Sequence, residues 1–271
     1  MGIFHRPILG SDLLAKAGEK FQTKLVPTRP RISAEMISHN PLYMLTFLRN
    51  LARLEERPTP GELALIRNRC SMLHGCPVEE LREEFNNVLL NPAVFTSLGL
   101  LVETGLLGEL IPELLRGKGM KQSHIHPDDV LTHNLLTCSL VKPSLHLRLA
   151  GLLHDVGKPD HYLDDPLLGR RFPNHSHRSA RLVPLILGRF SYSTQLVEQV
   201  RLLVANHMFI WVPQHGPEPV RQLMEQVGKN NIVDLVELIT SDRKAIWGEK
   251  IKDSNKALKR TLARVIMETK M

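Results

Sequence analysis

Aromatic residues are scarce in this chain of 271 residues: eight phenylalanines, three tyrosines and two tryptophans make up 5% of it. So few flat rings leave little from which to build the usual stacking platforms for nucleic-acid bases. Cysteine is scarcer still. Cys70, Cys76 and Cys138 include no CxxC pair, which argues against a structural zinc knuckle and suits three small buried side chains in a reducing compartment. No apolar run reaches membrane-spanning length without a charge or a breaker, and the amino terminus has no long apolar stretch, so a cytoplasmic protein is expected. Period-two strand patterns with hairpin signals do not stand out either. A glycine-rich phosphate loop and a G-x-S-x-G elbow are missing, which removes two common enzyme types.

What the chain does have is leucine in recurring helix-forming runs, which predicts an all-α protein with one large or two modest domains. Lys and Arg number 35 against 28 Asp and Glu, a formal charge of +7 that favours an acidic partner, with phosphate-bearing substrates or RNA the natural candidates. The charge gathers in residues 16–31 and 250–259. A solvated surface accounts for it about as well as an RNA contact does.

The stretch Leu149-Ala150-Gly151-Leu152-Leu153-His154-Asp155-Val156-Gly157-Lys158-Pro159 carries the chemistry. An apolar run delivers an imidazole and a carboxylate side by side and then stops, which costs desolvation unless something binds them. A divalent cation would do so. Gly157 and Pro159 leave Lys158 in a loop, where its ammonium could meet a phosphate. Further imidazoles and a carboxylate come from separate segments: His133 in a helical pattern upstream, His175 and His207 downstream, and Asp242 after an apolar run. Other histidines read differently. His124 and His126 form an H-x-H on a glycine-rich linker and are expected to be solvated, although His126 has a second reading over a substrate mouth. His146 reads as structural, and His161, His177 and His215 lie in loop-like stretches near the site.

The order His133, His154-Asp155, His175, His207, Asp242 resembles the HD-domain metal-dependent phosphohydrolases over residues 126–248. Residues 149–159, the turn Gly169-Arg170-Arg171-Phe172-Pro173-Asn174-His175 with Ser179-Ala180, and residues 202–208 carry the likeness. Within that superfamily it is most similar to the HD domain of some bacterial tRNA nucleotidyltransferases (CCA-adding enzymes) and their poly(A) polymerase relatives. The resemblance implies that His133, His154, Asp155 and Asp242 hold one metal, while His175 and His207 complete a second site sharing Asp155. One or two divalent ions per chain are expected, and the donor types do not choose among Mn, Fe, Co, Ni, Mg and Zn. Asp155 would hold the nucleophile, with Lys158, Arg170 and Arg171 clamping the phosphate.

The amino-terminal half resembles the neck and body helices of the same nucleotidyltransferases, through residues 40–49, 79–85 and 101–107. Asn40 and Tyr43 stand where the family's helix carries an Asp and an Arg that read the incoming base, and a phenol cannot supply a guanidinium fork. Ahead of residue 40 no Gly-Ser turn is followed by two aspartates, and Asp164-Asp165 lies inside the HD loop. Nucleotide addition by this chain alone is therefore not expected.

The expected organisation is a basic arm over 1–31, a neck/body-like helical domain over 32–118, an HD domain over 119–249 and a basic helix over 250–271. The leading functional expectation is a phosphohydrolase acting on a phosphomonoester or cyclic phosphodiester of a nucleotide or RNA end. Two alternatives stand beside it: a non-catalytic RNA- or protein-binding helical module, and the carboxyl half of a split nucleotidyltransferase, against which Asn40 and Tyr43 count.

Overall fold

Helices begin where the sequence supplies a cap. Ser33, Thr59, Asp129 and Ser193 each accept a hydrogen bond from a backbone N–H in the turn that follows, and Thr59 forms a reciprocal capping box with Glu62 beside Pro60. The computed structural model describes residues 28–123, 125–160, 162–167 and 169–269. The expected basic arm therefore falls, through residue 27, outside the described residues, as do His124 and His161.

Fourteen α-helices occur among the described residues. The amino-terminal half holds α1 (Ala34–His39), α2 (Tyr43–Arg53), α3 (Pro60–Arg67), α4 (Val78–Leu89), α5 (Val94–Thr104), α6 (Leu106–Leu110) and α7 (Pro112–Leu115). The carboxyl half holds α8 (Val130–Leu140), α9 (Leu145–Leu153), α10 (His175–Gly188), α11 (Thr194–Asn206), α12 (Glu218–Val227), α13 (Ile232–Trp247) and α14 (Lys252–Glu268). Among the described residues the fold is all-helical apart from one small hairpin, and no described helix is long and apolar enough to cross a membrane.

The expected all-α class holds, and the hairpin is a small addition that no period-two pattern announced. Strands β1 (Leu163–Asp165) and β2 (Gly169–Arg171) pair antiparallel, with Asp164 opposite Arg170 and Ser123 bridging to Gly169. Three-residue strands with little burial leave no alternation of apolar residues to detect.

α8, α9, α11 and α13 pack around one another, and α10 lies on α11. The two halves meet where α5 lies on α8 and α4 on α9. Phe85 stacks on Phe190 with ring centroids 5.3 Å apart, and Arg82 donates to the carbonyls of Phe190 and Ser191. The Tyr192 hydroxyl donates to Asn86, and Arg189 grips Glu113 through two bonds of 2.7 and 2.8 Å. Buried apolar side chains from Ile37 to Val265 consequently form one continuous core.

Asn40 and Tyr43 have structural partners. The Asn40 side chain accepts from Leu42 N–H in the turn between α1 and α2, and the Tyr43 hydroxyl donates to the Arg31 carbonyl. Cys138 is buried and its thiol is pushed up to about 12 by that burial, whereas Cys70 and Cys76 are half-buried.

Candidate metal centre

A close crossing of two helices begins the centre. Gly151 of α9 lies against α8 so tightly that a Cβ there would come 2.9 Å from the Cys138 Cα and 3.0 Å from its nitrogen. One turn later α9 ends and His154 faces His133 of α8, their Nε2 atoms 3.1 Å apart. Gly157 allows a second close approach, since a Cβ would meet Ser179 N at 2.5 Å, and its own N–H donates to Ser179 Oγ at 2.9 Å. The turn holding Asp155 is thereby seated on α10, whose first residue is His175. His207 caps the end of α11, and Asp242 projects from α13.

All six side chains expected as metal ligands converge here. Asp155 lies between them: its Oδ2 is 3.4 Å from His133 Nε2 and 3.2 Å from His154 Nε2, and its Oδ1 is 3.1 Å from His175 Nε2 and 3.6 Å from His207 Nε2. Asp242 Oδ1 sits 3.0 Å from His133 and 3.7 Å from His154. Donor atoms of His133, His154 and Asp242 lie within 4.8 Å of one another, as do those of His154, Asp155 and His207. His154 belongs to both groups.

The rings are held with one nitrogen turned inward. Nδ1 of His154, His175 and His207 lies within hydrogen-bond reach of the carbonyls of Gly151, Phe172 and Val204, at 2.9, 2.7 and 2.7 Å. Placing the ring proton at Nδ1 leaves the Nε2 lone pair for a cation, and such outer bonds fix ligand orientation in metal sites. Asp155 Oδ1 and His175 Nε2 are buried and 3.1 Å apart, yet neither makes a hydrogen bond of good geometry. Leaving such groups unsatisfied costs about 1–3 kcal/mol each, a cost that a bound cation removes. The residues present therefore fit a divalent ion.

The electrostatics ask for positive charge. Burial opposes protonation of His154, yet the Asp155 and Asp242 carboxylates outweigh it and raise its pKa to about 10. Burial works against ionised Asp155 as well, and His154, Lys158 and His175 together hold it well below the usual carboxylate range. His207 is pushed down, chiefly by burial.

Lys158 is not in an open loop. It lies in a short 3-10 turn, is 5% exposed, and its ammonium contacts Asp155 Oδ2 at 2.5 Å and Gln122 Oε1 at 2.6 Å. Arg170 and Arg171 border the same cavity. Each is already engaged within the hairpin, Arg170 bidentately with Asp164 and Arg171 with Asp165 at 3.3 Å.

Four of the donors, Asp155, His175, His207 and Asp242, border a cavity of about 510 Å³. Its lining contains residues that sequence reasoning missed or misjudged. His126 is half-buried rather than solvated: it borders the cavity beside His133, and its Nδ1 lies 2.7 Å from Ser123 Oγ. Arg243 borders it from α13, one residue after Asp242, and donates to the Phe209 carbonyl. Periodicity along α13, with Ile239, Asp242 and Ile246 on one face, was the available signal for that wall. Elsewhere, His146 contacts Asp234 at 2.9 Å, His215 is exposed in a short turn, and His177 borders a separate hollow with Arg116, Arg178 and Arg181.

The family model described as "HD domain" matches residues 134–260, and that described as "Probable RNA and SrmB-binding site of polymerase A" matches residues 60–117. An A-adding tRNA nucleotidyltransferase of Deinococcus radiodurans is 33% identical over 176 residues, covering 63% of this chain and 40% of the relative. A CC-adding tRNA nucleotidyltransferase of Thermus thermophilus is 34% identical over 178 residues, with the same coverage of each chain. The chain thus spans about two fifths of the length of these relatives. The HD-domain match, residues 134–260, takes in every member of the donor set except His133, and it follows the match to the polymerase RNA-binding family.

Proposed function

We propose that the chain is a metal-dependent phosphohydrolase that cleaves a phosphomonoester or cyclic phosphodiester at a nucleotide or RNA end. One observation carries this reading: four imidazoles and two carboxylates from five helical segments form one contiguous buried cluster, linked through Asp155 and Asp242, and four of the six, Asp155, His175, His207 and Asp242, border an open cavity. The HD fold, a hydrolase superfamily fold, supports it, and the neighbouring segment's description as an RNA-binding site supports RNA as the source of the substrate.

In this reading His133, His154, Asp155 and Asp242 hold one cation, and His175 and His207 complete a second site through Asp155. A cation held there would supply Lewis acidity, lowering the pKa of a water and neutralising charge on phosphoryl oxygens. The remaining work belongs to the chain. Asp155 orients the attacking water, and Lys158 keeps Asp155 ionised and fixed in place. Arg170 and Arg171 exchange their hairpin carboxylates for phosphoryl oxygens when substrate enters, a swap favoured because both sites suit a planar guanidinium.

The test is direct. Metal-stripped protein is offered 2',3'-cyclic nucleotides and nucleoside monophosphates, with each divalent metal restored in turn. Turnover with at least one metal, abolished by both His154→Ala and Asp155→Ala, is the expected result; no turnover with any combination rejects the hydrolase reading.

A further inference from the structure

Asp155, His175, His207 and Asp242 account for only part of the lining of the 510 Å³ cavity, a volume in the range of small-molecule sites and larger than a phosphate needs. We infer that the rest is a base-binding subsite, in which Trp247 stacks on the aromatic base of a nucleoside phosphate whose phosphoryl group lies at the donor cluster. This deepens the hydrolase reading by naming what the far wall recognises, and it rests on that reading only for the placement of the phosphate.

Composition makes the wall conspicuous. Only two tryptophans occur in the chain, and both line this cavity, with Phe172 and Phe209 beside them. The two differ in duty. Trp211 is 2% exposed and its indole N–H donates to the Gly216 carbonyl at 2.8 Å, so it backs the wall. Trp247 is 39% exposed, stands at the end of α13, one turn beyond Arg243, and borders the cavity. Arg243 donates to the Phe209 carbonyl and so ties α13 to the segment that carries the opposite face.

The rim is apolar as well. Met208 and Ile210 are 50% and 72% exposed there, beside a floor of imidazoles and carboxylates. Adjacent exposed apolar groups around a polar floor mark a ligand site with one apolar and one charged end. A nucleoside phosphate has both ends. A sugar phosphate or inorganic phosphate has no planar face to cover the indole.

Because both tryptophans border the cavity, intrinsic fluorescence reports occupancy without requiring turnover. Full-length, metal-stripped protein is titrated with adenosine monophosphate, adenosine, ribose 5-phosphate and inorganic phosphate. Saturable quenching by the monophosphate, weaker quenching by adenosine and none by ribose 5-phosphate is expected. Trp247→Leu should weaken monophosphate binding by about tenfold, in line with base–aromatic stacking, with ribose 5-phosphate affinity, read by calorimetry, unchanged and Trp247→Phe restoring most of the loss. Equal affinity for the monophosphate and ribose 5-phosphate, or a folded Trp247→Leu that binds the monophosphate as well as wild type does, overturns the subsite. The two readings fail separately: base-dependent binding without hydrolysis removes the hydrolase and keeps the subsite. Hydrolysis of both phosphates at equal kcat/KM does the reverse.

Discussion

Asp155 directs its two oxygens to different partners: Oδ2 faces His133, His154 and Lys158, and Oδ1 faces His175 and His207. That a His-Asp pair after an apolar run should be a site was legible in the sequence, because burying both groups with nothing bound is costly. The direction of Lys158 was not. Whether a lysine after a glycine points outward or folds onto the preceding carboxylate is set by what else lines the pocket, here Gln122 from a distant linker. For the same reason the choice between the two readings of His126, solvated or over a substrate mouth, was open, since a glycine-rich linker gives no sign of which of its residues will be covered.

Away from the centre, Glu62 offers a titration to follow. Its hydrogen bond from Arg29 is the main cause of a pKa lowered to about 2; burial opposes the shift and the Thr59 N–H adds to it. A carboxyl whose folded-state pKa lies below its ordinary 4.5 contributes stability above that pH and loses it as the pH falls toward 2. Glu62→Gln should therefore lower stability at neutral pH and make the loss of stability between about pH 4.5 and 2 shallower than in wild type, as read from urea midpoints. Parallel acid limbs in the two proteins would contradict this account of the cap.

Among the secondary elements, the crossing of α8 and α9 matters most, because it sets the distance between His133 and His154. Gly151 meets backbone atoms of Cys138, which cannot move aside as a flexible side-chain end can. Gly151→Val should cost about 1–3 kcal/mol in denaturant unfolding, the usual range for overpacking, and should weaken metal retention in the protein that still folds. Unchanged stability and metal content would mean that the helices can separate without disturbing the donors.

The helices were readable from caps, prolines and apolar spacing. The β1–β2 hairpin was not: its order comes from pairs such as Asp164 with Arg170 and from the Ser123 bridge to Gly169, contacts that carry no local hydrophobic pattern.

Across the molecule, one core runs from Ile37 to Val265, and the polar and aromatic contacts of Arg82, Phe85 and Arg189 fasten the amino-terminal helices to the HD domain. Sequence reasoning reached the all-helical class and the HD likeness from the donor order. It could not reach the aromatic wall, because scarcity of aromatics along the chain says nothing about whether the few will gather in one place, as Trp211 and Trp247 do.

Elemental analysis of purified, folded protein asks whether the six dispersed side chains share cations. One or two equivalents of divalent metal per chain are expected in wild type, with His154→Ala losing them because that ring belongs to both donor groups. Folded wild-type protein that takes up no divalent ion when offered each in turn, or His154→Ala that retains its full complement, would contradict the account.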